Sequence, residues 1–184
     1  MKKLMAVLII SLLMSSSVMA QEIAGVEFPE KTTISGTEMV LNGAGVRSKM
    51  FIKVYACGLY LNSKSTNATE IINADEPMSI KLVITTGLVS KEKMQSAMTE
   101  GFEASTNGNT EALQDKIDIF NNCFRDEIVK EDEYIMTYIP ETGVVVEKNG
   151  TEKGVIPGLD FKKALFGIWL GEEPADESLK KSLI

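Results

Sequence analysis

The sequence contains no histidine, two cysteines, and two arginines among its 19 basic residues. Histidine is the commonest general base near neutral pH and the commonest ligand of transition metals in proteins. Its absence argues against a histidine-dependent catalytic site. Cys57 and Cys123 lie far apart and lack the close spacing of a metal site. We therefore predict neither a metal site nor a cofactor.

The two cysteines leave two possibilities open. In an exported protein Cys57 and Cys123 could form a disulfide. Both have apolar neighbours in the sequence, however, which favours a pair of buried free thiols. We predict no cysteine nucleophile in either case, because no histidine is present to activate it.

The charge balance excludes one class of partner. The formal net charge is −7, and the positive residues form no concentrated patch in the sequence. Binding to nucleic acid requires such a patch, so we predict no nucleic-acid partner. The scarcity of arginine makes Arg47 notable, since guanidinium groups bind planar anions such as carboxylates in a two-pronged geometry.

Residues 1–20 have the pattern of a secretory signal peptide. Lys2 and Lys3 precede an apolar run from Leu4 to Met14, and small residues follow up to Ala20. We predict cleavage near Ala20 and an exported domain over residues 21–184, periplasmic or secreted. An N-terminal anchor is the alternative, but the run is short for a permanent span. No other long apolar run follows, so we predict no permanent membrane span.

The segment Asn42–Asn62 is the most informative part of the chain. Gly43 and Gly45 predict a tight bend at its start. From Val46 to Tyr60 the even-numbered positions are nearly all apolar, which is typical of a half-buried strand or hairpin. The continuous apolar run at its end predicts burial on both faces.

Arg47 and Tyr55 have the same parity in this segment and therefore share a face. In a straight strand they would lie about 26 Å apart, at roughly 3.3 Å per residue. They could serve one site only if the chain folds back or bulges between them. Otherwise Arg47 is an ordinary surface cation and Tyr55 an ordinary sheet residue.

The remaining pattern predicts a domain of the α+β class, with one antiparallel sheet and helices gathered on one face. Hairpins, rather than regular strand–helix–strand alternation, connect the strands. The predicted elements are short strands within Gln21–Ser35 interrupted at Pro29, a strand Glu38–Leu41, a helix ending near Asn73, a strand Met78–Thr85, a helix capped by Ser90, a helix from Asn109 or Thr110, a hairpin over 134–147 with a further turn at Asn149–Gly150, a helix capped by Asp160 and ended by Gly171, and a last helix from about Ala175 to Leu183.

Several segments together resemble the chalcone isomerase family, particularly its bacterial exported chalcone isomerase-like branch. They occur in the family's order along nearly the whole predicted domain, and they are LNGAGVR at 41–47, KVYACGLYL at 53–61, TG at 86–87, YIPETG at 138–143 and ALFGIWLG at 164–171. The resemblance implies an open-faced β-sandwich, in which a large antiparallel sheet is covered on one face by a layer of helices. This fold agrees with the element order derived from the pattern.

The resemblance implies two possible activities. The plant enzyme of the family is an isomerase (an intramolecular lyase) that closes chalcone to flavanone. Its arginine matches Arg47 and one of its lysines matches Lys93. The threonine, tyrosine and asparagine of that enzyme fall on Tyr55, Ser90 and Ala97, which are different residue types. Its small hydroxyl residue falls on Ile168 or Gly167.

Non-catalytic members of the family bind fatty acids, and the arrangement of Arg47 with Tyr55 is similar to theirs. The resemblance implies a carboxylate held by these two residues and an apolar tail against other side chains, although plain core packing is the alternative for each of those. The candidate ligand-binding residues are Arg47, Tyr55, Lys93, Met94, Met98, Phe102, Ile168 and Trp169. Our first hypothesis is an exported, non-catalytic protein that binds a fatty acid or a similar apolar carboxylate. The alternatives are a chalcone-flavanone-type isomerase and an envelope protein that acts through a protein partner.

Overall fold

The computed structural model describes residues 20–184, which form two sheets and a layer of helices. A seven-stranded antiparallel sheet has its strands side by side in chain order, from β3 to β9, and β1 pairs only with β2. The predicted signal peptide lies outside the described residues except for Ala20, the first residue of β1. The strands are β1 (Ala20–Ile23), β2 (Val26–Pro29), β3 (Lys31–Ile34), β4 (Thr37–Lys49), β5 (Ile52–Leu61), β6 (Met78–Ile84), β7 (Glu133–Ile139), β8 (Gly143–Lys148) and β9 (Thr151–Ile156).

The helices pack on one face of the large sheet, which confirms the predicted α+β class. They contribute to the main hydrophobic core, whereas the smaller core on the opposite face contains no helical residue among those that the structure describes. None of the helices among residues 20–184 is both long and apolar enough to cross a bilayer. The helices are α1 (Ala68–Asn73), α2 (Lys91–Ser105), α3 (Gln114–Asn122, preceded by a 3-10 turn at Glu111–Leu113), α4 (Leu159–Leu170) and α5 (Glu177–Leu183).

The predicted glycine bend near the start of the central segment is wrong. Gly43 and Gly45 lie inside the continuous strand β4, and neither has a positive φ. Their small size instead allows α5 to approach the sheet, since a Cβ at Gly43 would collide with the carbonyl oxygen of Ser182. Asn42, at a bulge, fixes the same contact by donating to the carbonyl of Leu183 at 2.6 Å.

Burial of β5 on both faces is confirmed. Tyr55 and every following residue of the strand are buried. The odd positions face the helices, and the even positions face the smaller core. In the smaller core Phe28 of β2 packs so closely on Gly58 that a Cβ at Gly58 would lie 2.5 Å from the Phe28 ring. The expected apolar even-numbered face is wrong at its start, because Met50 and Ile52 are exposed.

Helix ends were predicted with mixed success. The Ser90 side chain accepts a hydrogen bond from the Lys93 backbone N–H at 3.3 Å and caps α2, as predicted. Asp160 does not cap α4: Gly158 is the N-cap, and Asp160 pairs with Lys116 at 2.7 Å. The last helix begins at Glu177 rather than near Ala175, because the Asp176 carboxylate accepts from the Leu179 backbone N–H and caps it.

The two cysteines are buried free thiols, in agreement with the favoured interpretation. Cys57 lies on the helix-facing side of β5, and Cys123 follows α3. Burial raises the pKa of the Cys123 thiol to about 11 and that of Cys57 further still. Both are therefore protonated near neutral pH, which makes them poor nucleophiles.

Candidate functional site

The β4–β5 hairpin brings Arg47 and Tyr55 together. The chain folds back at Met50 and Phe51, and Arg47 then lies directly opposite Tyr55 in the antiparallel register. The register shifts immediately after this pair, leaving Val54 as an extra residue in β5. The sequence required a fold-back or a bulge for a shared site, and the structure has both.

Tyr55 is held in place by Trp169 of α4. The Trp169 indole N–H donates to the Tyr55 hydroxyl at 2.9 Å, and both side chains are buried. Burial raises the pKa of Tyr55 to about 12, although the positive charge of Arg47 acts in the opposite direction. The phenol is therefore protonated near neutral pH. The hydroxyl accepts the bond from Trp169 and donates to no group among residues 20–184, so its proton remains available to a ligand.

The positive charge of Arg47 is not neutralised by a neighbouring carboxylate. None of the ion pairs formed within residues 20–184 includes Arg47. Its guanidinium carbon lies 5.7 Å from the centre of the Tyr55 ring, a distance at which the cation is attracted to the aromatic face. The guanidinium group thus retains donors for an anion.

Arg47 and Tyr55 line a cleft of about 600 Å³ between the hairpin and α2. This volume is within the usual range for small-ligand sites. The lining combines buried Tyr55 and Met94 with exposed Met50 and Leu88, so the cleft extends from the core to the surface. Most of its walls are apolar, and they include Ile52, Val54, Val89, Met94 and Ala97.

One wall of the cleft was missed by the sequence analysis. Glu92, Ser96 and Glu100 line it from α2, next to the buried stripe of that helix. Their spacing of four residues places them on one helical face, which was the available signal. Ser96 donates to the Glu100 carboxylate at 3.3 Å. The lining of the cleft thus includes acidic groups from α2 as well as Arg47 and Lys49 from the hairpin.

Of the eight predicted ligand-binding residues, Arg47, Tyr55, Lys93 and Met94 line the cleft. The Lys93 ammonium donates to the Leu88 carbonyl at 2.9 Å and so holds the segment before α2 in place. Trp169 acts through Tyr55. The other three, Met98, Phe102 and Ile168, are buried in the main core and are not among the residues that line the cleft. For these three residues the structure agrees with the alternative of plain core packing.

The arrangement suits an amphipathic anion. A guanidinium group and a phenol O–H belong to two residues that line the cleft, and a carboxylate can accept from both. The apolar residues of the walls provide space for a hydrocarbon chain.

Comparison with known proteins identifies relatives by fold and by sequence. The fatty-acid binding protein AtFAP1 of Arabidopsis thaliana has a similar structure, with a TM-score of 0.68 and 20% sequence identity over 87% of this chain and 92% of that chain. This similarity shows a shared fold. No curated protein matches the sequence. The family model described as chalcone isomerase-like matches residues 20–184, and the chain therefore belongs to the chalcone isomerase-like family.

Proposed function

We propose that this protein binds a fatty acid or a similar apolar carboxylate in the cleft between the β4–β5 hairpin and α2. The observation that carries the proposal is the uncompensated Arg47 guanidinium beside the protonated Tyr55 hydroxyl at an apolar cleft. A carboxylate placed there accepts from both groups and neutralises the charge of Arg47. The similar fold of a fatty-acid binding protein supports the same conclusion.

The chain of the ligand would lie along the apolar walls. Val54, the extra residue at the bulge of β5, and Met94 of α2 both line the cleft. Methionine adapts readily to ligands of different shape, so the site should accept several chain lengths. Leu88 and Met50 line the outer part, where a longer chain would emerge.

The site supports binding better than catalysis. A tyrosine with a pKa near 12 donates hydrogen bonds but is a poor general base at neutral pH. The Lys93 ammonium is already engaged with a backbone carbonyl. We further propose that the protein acts after export, on the basis of the signal-peptide pattern in residues 1–20.

Titration calorimetry with decanoate and native mass spectrometry with palmitate test this proposal. We expect Arg47→Met to weaken decanoate binding by at least about tenfold, because hydrogen bonds to charged groups contribute roughly 1.5–3 kcal/mol. Arg125→Met is the matched control, since Arg125 is exposed and is the only other arginine. It should bind as the parent protein does.

Decanol separates the roles of head and tail. It has the same chain length but no charge, so we expect it to bind more weakly than decanoate to the parent protein and about equally to the parent and to Arg47→Met. Thermal unfolding of each variant establishes that it is folded. The proposal is wrong if the folded parent binds neither acid, or if Arg47→Met binds decanoate with unchanged affinity.

A further inference from the structure

The tip of the β4–β5 hairpin is an exposed apolar turn. Met50 and Phe51 are the two turn residues, and their side chains are 84% and 105% exposed. Leu88, 60% exposed, lines the same cleft as Met50. The segment that carries Leu88 is held beside the hairpin, because Thr85 bonds to the carbonyls of Lys53 and Val54 at 2.9 and 3.1 Å.

The turn geometry does not explain the choice of these residues. Met50 and Phe51 both have positive φ, at 50° and 68°, where bulky side chains are disfavoured. Another hairpin of this chain has the same pair of positive φ values and places Asn149 and Gly150 there, the residues that such a turn prefers. Strained, exposed apolar residues in place of this favourable pair indicate a function at the tip.

Charge near the tip indicates the partner. Segment 47–53 contains Arg47, Lys49 and Lys53 and no acidic residue, in a chain of net charge −7. Lys49 and Lys53 are exposed on either side of the turn. Apolar side chains that protrude between cations match the interface of a bilayer with anionic lipids. Two turn side chains offer far less area than the roughly 800 Å² per partner of a stable protein interface.

We propose that the tip of the β4–β5 hairpin inserts Met50 and Phe51 into the surface of an anionic bilayer. Lys49 and Lys53 would contact the lipid headgroups, and the mouth of the cleft would face the membrane. Docking depends on the tip alone and stands whether or not Arg47 binds a carboxylate. If both proposals hold, a fatty acid could pass between the bilayer and the cleft without crossing water.

Vesicle flotation of the purified protein tests the docking. One set of vesicles contains phosphatidylcholine alone, and the other contains equal parts of phosphatidylcholine and phosphatidylglycerol. We expect binding to the anionic vesicles that weakens as salt is added. Phe51→Ser should reduce binding by at least about tenfold through loss of apolar insertion. Lys53→Gln should reduce vesicle binding by about fivefold, because that is the contribution of one lysine to binding at an anionic surface.

Ile119→Ser is the matched control, because Ile119 is an exposed apolar residue on α3, distant in sequence from the tip. It should float as the parent does. The docking proposal is overturned if the parent protein floats with neither set of vesicles, or if Phe51→Ser floats as well as the parent. It is also overturned if sedimentation without vesicles shows self-association that depends on Phe51 while flotation is absent.

Decanoate titration without vesicles distinguishes the two proposals. Phe51→Ser should bind decanoate with the affinity of the parent, because Phe51 does not line the cleft. If the parent protein floats but binds no decanoate, the docking proposal stands and the ligand-binding proposal is wrong. If it binds decanoate but does not float, the ligand-binding proposal stands and the docking proposal is wrong.

Discussion

At the scale of single residues, the site depends on a hydroxyl with two roles. The Tyr55 hydroxyl accepts from the Trp169 indole and keeps its own proton for a ligand. Its neighbour Arg47 has no carboxylate partner among the described residues. Removing the hydroxyl therefore affects the packing of α4 and the affinity for an anion together.

We expect Tyr55→Phe to lower the free energy of unfolding by about 1–3 kcal/mol, because the buried Trp169 N–H loses its acceptor. Decanoate affinity should fall about tenfold, as one hydrogen bond to the carboxylate is lost. Urea denaturation and calorimetry measure the two effects. Tyr60→Phe is the control on the same strand, since the Tyr60 side chain faces the smaller core. Equal effects of both substitutions would contradict the proposed role of Tyr55.

At the scale of elements, the close contact of β4 with α5 fixes the end of the chain to the sheet. Gly43 faces the backbone of Ser182 and Leu183 with no room for a side chain. Backbone atoms cannot rotate away as a flexible side chain could. A methyl group at this position therefore forces the helix itself to move.

We expect Gly43→Ala to lower the free energy of unfolding by about 1–3 kcal/mol through overpacking. Gly87→Ala is the matched control, because no atom of residues 20–184 lies within 4 Å of a Cβ built at Gly87. It should be neutral or slightly stabilising, through the reduced freedom of the unfolded chain. Urea denaturation of both variants provides the comparison. If Gly43→Ala is as stable as Gly87→Ala, the contact with α5 is looser than described.

The elements also show what the sequence could predict. The Ser90 cap and the Asn149–Gly150 turn are local signals, and both were confirmed, whereas the alternation expected from Val46 to Tyr60 was wrong at its start. The function of Gly43 could not be predicted, because it depends on a helix some 140 residues later in the chain. The same sequence signal, a small residue in an apolar segment, is found both where a chain bends and where another element packs closely against its backbone.

The candidate site was predictable only in part, for a related reason. The parity of Arg47 and Tyr55 indicated a shared face, but their pairing required the turn at Met50–Phe51, which lacks the usual turn residues. Met98 and Phe102 share the helical stripe of Met94, yet only Met94 reaches the cleft. Periodicity identifies the buried side of a helix but not which buried residues border a cavity.

At the scale of the whole molecule, a buried ion pair joins the segment before β7 to β8. The Asp132 carboxylate lies 2.9 Å from the Lys148 ammonium and accepts from the Val129 backbone N–H and the Asn149 amide. Burial alone would raise the pKa of Asp132, but the hydrogen bonds from Lys148, Val129 and Asn149 outweigh it and hold the pKa below its usual value.

We expect this pair to contribute to a loss of stability in acid. Because the folded-state pKa of Asp132 is lowered, its contribution is present above the unfolded value, about 3.9, and is lost as pH falls through the folded value. Asp132→Asn should lower the free energy of unfolding by about 3 kcal/mol at pH 7, since it leaves Lys148 buried without its counter-charge. The difference from the parent should shrink below about pH 4.

Urea denaturation across this pH range measures that convergence, and Asp115→Asn, exposed on α3, is the control for loss of one negative charge. A constant difference between Asp132→Asn and the parent down to low pH would exclude the ion pair as its cause.

The contact between Trp169 and Tyr55 also has an optical consequence. Trp169 is the only tryptophan of the chain, so light absorbed at the red edge of the protein spectrum excites a single indole. That indole is shielded from water and donates to the hydroxyl of Tyr55, one of the residues that line the cleft. Its emission responds to the polarity and hydrogen bonding around it. The molecule thus carries an intrinsic fluorophore behind its candidate site, which can report an arriving ligand without any attached dye.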